Sequence, residues 1–247
     1  MQIIVAGQVV DYGDEGDGPV LLMVHGWRDQ KSTWRPLIKI LKANFRCVAI
    51  DLPNFGVSAE NESVIDLPTY ATALKEFLTK LDITAYTYIG HSMGGQLGIY
   101  ATAHEILHPQ RLILIASAGI RSDNAVRRRM LQRGTAVFRK FIPAATKKKL
   151  YHAIGSDYDP SLSPIHKIII EAMLSTDVQQ EAAKITVPTL LVYGSKDDAT
   201  PAEYGERLHH LISGSQFALL KDDDHFVHQK ASDQVAQTIC TFLGKGA

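Results

Sequence analysis

The 247-residue sequence predicts an α/β fold: a mostly parallel, doubly wound sheet with helices on both faces and one inserted helical segment. Three observations lead there. Strand-like and helix-like segments alternate at βαβ lengths. The strand-like runs, among them VLLMVHG and RCVAIDLP, are apolar throughout, as strands buried on both faces must be. The alternation breaks off after residue 120 and resumes near residue 185.

The elements follow in order. QIIV (2–5) and QVVDY (8–12) flank Ala6-Gly7 and read as a hairpin. The Gly/Asp-rich DEGDGP is a turn, and VLLMVHG (20–26) a buried strand. Residues 33–43 carry helical spacing, 46–53 form a strand, and 70–81 an amphipathic helix. YTYIG from residue 86 is a strand, and MGGQLGIYATAHE from 93 a helix. A strand over 111–117 precedes the interruption. A strand over 187–194, a helix over 202–212, a strand over 216–220 and a helix over 230–243 close the chain. The core is therefore expected from residues 1–120 and 185–247, with 121–184 as a helical lid.

Composition bounds what this fold can do. Hydrophobic residues make up 45% of the chain, enough for one sizeable core. Formal charge is zero, which gives no reason to expect a nucleic-acid partner. Cys47 and Cys240, the two cysteines, have no metal-type spacing and read as reduced thiols. No apolar run approaches the ~20 residues that span a bilayer, and the first residues lack a basic, apolar leader pattern. The expectation is a cytoplasmic protein without a transmembrane segment.

In wound parallel sheets, chemistry gathers beyond the carboxyl ends of the strands. Those ends carry His25-Gly26-Trp27-Arg28, then Asp51-Leu52-Pro53-Asn54, then Gly90-His91-Ser92-Met93-Gly94, then Ser195-Lys196-Asp197-Asp198, and last Asp224-His225. Serine, acid and histidine thus fall on one edge of the sheet. A serine hydroxyl is a poor nucleophile at neutral pH and needs a base, and the base needs an orienting acid. Ser92, His225 and Asp197 supply these roles. In a Gly-x-Ser-x-Gly turn the serine backbone is strained and the flanking glycines remove side chains that would collide. The backbone N–H groups of Met93 and Trp27 are the expected donors to an oxyanion. His228 competes with His225, and Asp198 with Asp197. His225 is favoured by following the last strand directly. His25 reads as a brace for the oxyanion loop, His91 as packing, and Asp51 as a tie for its own loop.

Taken together, HGW at 25–27, DLPNFGVS at 51–58, GHSMGG at 90–95, VPTLLVYGSKDDATP at 187–201 and the histidine of DDDHF at 222–226 resemble the α/β-hydrolase superfamily. The resemblance runs over the whole chain. It is nearest to small serine esterases with a helical lid, related to pimeloyl-carrier-protein methyl esterases and meta-cleavage-product hydrolases. It implies hydrolysis through an acyl-enzyme without cofactor or metal, and its spacing of Gly194, two residues and an acid selects Asp197. It also counts against haloalkane dehalogenases and epoxide hydrolases, which carry an aspartate at the elbow. Arg28, Asn54 and Asp224 depart from the family, where glycine is usual at each.

The expected function is hydrolysis of short-to-medium acyl carboxylic esters, with a small-molecule ester as substrate. The same residues would equally serve a C–C bond hydrolase, lactonase, thioesterase or acyltransferase. A receptor that binds without turnover is the reading from another class, against which an intact triad argues. The lid sequence is basic. Arg127, Arg128, Arg129, Arg133, Arg139, Lys140, Lys147, Lys148 and Lys149 fall between Arg121 and Leu150, where Asp123 is the only acid. That pattern suits either a solvated helix face or an anionic partner, such as an acyl carrier or a carboxylate-bearing substrate.

Overall fold

A computed structural model describes residues 1–121 and 162–245. The expected basic stretch of the lid lies outside these residues.

The strands are β1 (Gln2–Val5), β2 (Gln8–Glu15), β3 (Val20–Val24), β4 (Arg46–Ile50), β5 (Tyr86–His91), β6 (Arg111–Ile115), β7 (Thr189–Gly194) and β8 (Gln216–Leu220). They form one sheet in the order β1-β2-β4-β3-β5-β6-β7-β8. The β1/β2 and β2/β4 pairs are antiparallel, and every pair from β4 to β8 is parallel. The helices are α1 (Arg35–Leu41), α2 (Leu67–Lys80), α3 (Met93–Ala103), α4 (Pro164–Ser175), α5 (Gln179–Ala182), α6 (Ala202–Leu211), α7 (Val227–Lys230) and α8 (Ser232–Leu243). This is the α/β-hydrolase architecture that the sequence predicts.

The uniformly apolar strands are explained by two cores, one on each face. Leu22 and Val24 of β3 pack with Leu74 and Phe77 of α2 and Leu97 of α3. Leu21 and Met23, one residue out of phase, pack with Trp34, with Leu37 of α1 and with Ile239 of α8. Side chains alternate across a strand, so a strand covered on both faces has no polar phase. Cys47 and Cys240 are buried free thiols, and burial pushes Cys47 up to about 12.

Several boundaries differ from expectation for local reasons. β2 runs on to Glu15 because its second half pairs with β4, from Tyr12↔Ile50 to Glu15↔Cys47. The helix α2 starts at Leu67, three residues early, because Asp66 and Thr69 form a reciprocal capping box. The expected helix over 33–43 is a 3₁₀ turn, Lys31–Trp34, followed by the shorter α1 with Pro36 in its first turn. The expected last helix is two, α7 and α8, separated at Ala231. Within 162–184 the chain forms α4 and α5, between β6 and β7. No helix among the described residues is long and apolar enough to cross a membrane.

Candidate active site

Ser92 sits between β5 and α3 with φ 51° and ψ −113°, outside the regions an L-residue normally occupies. The neighbours hold it there. Ser92 N donates to Ile115 O at 3.0 Å, and Ser92 O accepts from Ala118 N at 3.0 Å. The glycines are steric necessities. A Cβ on Gly90 would lie 2.4 Å from Gly94 O, and one on Gly94 would lie 2.2 Å from Val24 O. The strand–turn–helix unit closes only without them.

The acid and the histidine come from β7 and β8, which lie side by side. Ser195 N donates to Leu220 O at 2.9 Å and Lys196 N to Asp223 O at 2.8 Å, pinning the two loops together. Asp197 Oδ2 lies 2.8 Å from His225 Nδ1, with the Asp197 side chain fully buried. Ala199 N and Thr200 N donate to Asp197 Oδ1, each at 2.8 Å, and Thr200 Oγ1 lies 2.8 Å from Oδ2. The buried carboxylate is thus surrounded by hydrogen-bond donors. Asp198 is exposed, and His228 is fully buried on the other side of the His91 ring from His225 with no hydrogen bond to Asp197.

The loop after β3 lies against the serine. A Cβ on Gly26 would be 3.1 Å from Ser92 Cβ and 2.9 Å from His91 Nδ1. Trp27 follows at once, and Met93 is the first residue of α3. His25 braces this loop: Nδ1 donates to Gly26 O at 2.7 Å and Nε2 accepts from Leu52 N at 3.0 Å. Burial holds its imidazole below the ordinary value. Asp51 ties its neighbours, accepting from Lys31 N at 2.5 Å and Val57 N at 3.0 Å. Two of the departures from glycine have a backbone reason. Arg28 has φ 53° and Asn54 φ 74°, the left-handed region glycine adopts most readily. Asn54 adapts through its amide, which donates to Val64 O at 2.7 Å and accepts from Asn61 N at 2.6 Å.

Three contributors carried no signal in sequence. Thr200 reaches Asp197, and its Oγ1 also lies 3.1 Å from His225 Nδ1. His166 of α4 sits on Trp27 and Phe55, with ring centroids at 5.8 and 5.5 Å, and donates from Nε2 to Asn54 O at 2.9 Å. Gln96 anchors the end of α4, its Nε2 donating to Met173 O and Thr176 O, both at 3.1 Å. A cavity of about 340 Å³, lined by Arg28, Gln30, Asn54, Phe55 and His166 among others, opens beside the Trp27 loop.

Residues 21–238 match the model of the alpha/beta hydrolase family. The chain belongs to the α/β-hydrolase family. Among its relatives is the pimeloyl-[acyl-carrier protein] methyl ester esterase of Vibrio cholerae, 24% identical over 92% of this chain and 95% of that protein. Another is haloalkane dehalogenase 2 of Mycobacterium bovis, 27% identical over 95% of this chain and 91% of that protein. A solved meta-cleavage product hydrolase from Pseudomonas fluorescens IP01 superposes with a TM-score of 0.75, covering 99% of this chain and 97% of that one at 21% identity. That last likeness is one of fold.

Proposed function

We propose that this α/β-hydrolase cleaves carboxylic esters through an acyl-enzyme, with Ser92 as nucleophile, His225 as base and Asp197 as orienting acid. One observation carries the reading. A buried carboxylate and an imidazole meet at 2.8 Å on the sheet edge where a serine is held at φ 51°. The Nδ1–H of His225 points to Asp197, which leaves Nε2 to take a proton from the Ser92 hydroxyl. The serine oxygen then bonds to the ester carbonyl carbon, and the oxyanion is bound by the N–H groups of Trp27 and Met93. Each such donor is worth roughly 3–4 kcal/mol in the transition state. His225 returns its proton to the leaving alcohol. Water, deprotonated by His225, releases the acid and restores Ser92.

The methyl ester esterase relative supports ester chemistry, and a serine at the elbow argues against the dehalogenase reaction. Residues 121–184 are proposed as a lid over the site, supported by the packing of His166 on Trp27. Short-to-medium acyl groups are the proposed substrates. Support for an anionic acyl group or carrier is the basic run at Arg127, Arg128 and Arg129 in the sequence alone.

The test is hydrolysis of p-nitrophenyl esters from acetate to decanoate by wild type and Ser92→Ala. Turnover that falls by at least about 10⁴-fold in Ser92→Ala supports the reading. Turnover that survives in Ser92→Ala overturns it. A wild type inert on every ester, yet labelled at Ser92 by a fluorophosphonate, would redirect it to C–C, lactone, thioester or acyl-transfer chemistry on the same residues.

A further inference from the structure

A second histidine–carboxylate group lies next to the first. Asp29 follows the Trp27 loop, His91 ends β5 and His228 lies in α7. One donor atom from each falls within 4.8 Å of the other two. His91 and His228 are 1% and 0% exposed. Among the described residues, His91 Nδ1, His228 Nδ1 and Asp29 Oδ2 are buried without a hydrogen-bond partner. Such atoms are rare in native structures and call for a ligand or another cause.

The outer atoms of the same three residues are engaged. His91 Nε2 lies 2.9 Å from His225 O. A carbonyl only accepts, so the proton of His91 is on Nε2 and Nδ1 presents its lone pair. That lone pair faces Asp29 Oδ2 at 4.0 Å. Asp29 Oδ1 accepts from Gln30 N at 2.9 Å, which leaves Oδ2 turned inward. His228 Nε2 lies 3.4 Å from Gln229 Nε2. In that contact either the amide nitrogen donates to Nε2, which puts the imidazole proton on Nδ1, or the amide is turned and its oxygen accepts from Nε2–H, which leaves Nδ1 a lone pair; metal binding selects the second arrangement. In that second arrangement three electron-rich atoms converge in a buried place. Alone they repel one another; a cation between them reverses the sign.

The arrangement has the form of a metal site. Ligating histidines characteristically donate their other N–H to a carbonyl or carboxylate, as His91 does to His225 O. In a tetrahedral zinc site, ligand atoms about 2.0–2.1 Å from the ion lie about 3.4 Å apart. The 4.0 Å pair exceeds that separation by about 0.6 Å and the 4.8 Å limit on the set by about 1.4 Å, so the three side chains would close in on a bound ion. Two imidazoles and one carboxylate suit zinc-like ions rather than magnesium or calcium, which take oxygen ligands. Trp34 Nε1, also without a hydrogen-bond partner among the described residues, belongs to a ring whose centroid lies 4.7 Å from that of His228.

We propose that Asp29 Oδ2, His91 Nδ1 and His228 Nδ1 bind one divalent transition-metal ion, zinc by its donor set. The ion would tie the loop bearing Trp27 to the segment bearing His225, and it takes no part in the ester reaction. The proposal does not depend on the assignment of that reaction.

The test uses tag-free, full-length protein stripped with a chelator and titrated with Zn²⁺ by calorimetry, then with Co²⁺ by visible absorption. Expected are about one zinc per chain, a Tm raised by roughly 5 °C or more at a hundredfold excess over Kd, and cobalt bands of four-coordinate intensity. Ser92→Ala should bind as wild type does, which separates metal binding from catalysis. Asp29→Asn and His228→Gln should each lose binding at least tenfold. If His228→Gln does not fold, Asp29→Asn, which keeps the side-chain shape, makes the same comparison. Folded wild type that takes up no stoichiometric zinc overturns the proposal in favour of a buried water. So does zinc binding that is unchanged in the folded variants.

Discussion

Two histidine–carboxylate pairs stand back to back in this molecule, and they are finished to different degrees. At Asp197–His225 the protein supplies every partner: 2.8 Å between the pair, and donors from Ala199, Thr200 and the imidazole on the carboxylate. At Asp29–His91 the pair is 4.0 Å apart, with the facing atoms unpartnered among the described residues. One backbone group joins them, since His91 holds the carbonyl of His225. The lesson is that a buried carboxylate and imidazole do not of themselves make a relay. Contact distance and the surrounding donors decide whether a proton can be oriented or a guest is required.

The largest expected effect separates the pairs by activity. Asp197→Asn should lower kcat by about 10⁴-fold, because an amide in that position favours the wrong imidazole tautomer. Asp29→Asn should lower kcat by less than about tenfold, since Asp29 acts on no reacting atom. Steady-state kinetics on one p-nitrophenyl ester decide it. Equal losses in the two variants would mean that the second pair belongs to the catalytic machinery.

An intermediate effect probes the wall between the pairs. Gly26→Ala would place a Cβ 2.9 Å from His91 Nδ1 and 3.1 Å from Ser92 Cβ. Both neighbours are tightly held, so overpacking should cost about 1–3 kcal/mol, read from urea denaturation. It should also lower kcat/KM. A variant as stable and active as wild type would show that the two sites are less closely packed than the geometry indicates.

How far these differences are legible in the sequence depends on the scale at which they arise. The sheet, its helices and the strand-end positions of Ser92, Asp197 and His225 follow from apolar periodicity and chain order, which are local properties. Asp197 and Asp198, adjacent in sequence, differ in burial, one side chain being enclosed and the next exposed. His91 reads as packing, because nothing in Gly-His-Ser tells that its ring reaches a carbonyl 134 residues away. Asp29 carries no signal, and His228 reads only as a rival to His225, for the same reason: three residues from three segments converge only once β3, β5 and α7 are assembled. Thr200 and His166 likewise act through contacts that no spacing encodes. Periodicity misplaces a helix start where a cap overrides it, as Asp66 does for α2.

The smallest effect concerns a third histidine, His25, which is complete in another way. Both its nitrogens are matched, Nδ1 to Gly26 O and Nε2 to the N–H of Leu52. Protonation at Nε2 would set two donors face to face, and burial already holds the folded imidazole below its ordinary value, against the pull of Asp29 and Asp51. His228, also buried, is lowered to about 3. With the folded value depressed, the unfolded chain takes up protons below about pH 6.5 while the folded chain resists them. Stability should therefore fall as pH falls through that range, by up to about 1.4 kcal/mol per pH unit for each such histidine. Urea midpoints at pH 7.5 and 5.5 measure the sum, and His25→Gln, compared with wild type at both values, isolates the share of His25. A midpoint that rises on acidification would mean that these imidazoles gain anionic partners in the folded state, and the distinction between a completed histidine and one awaiting a guest would lose its electrostatic basis.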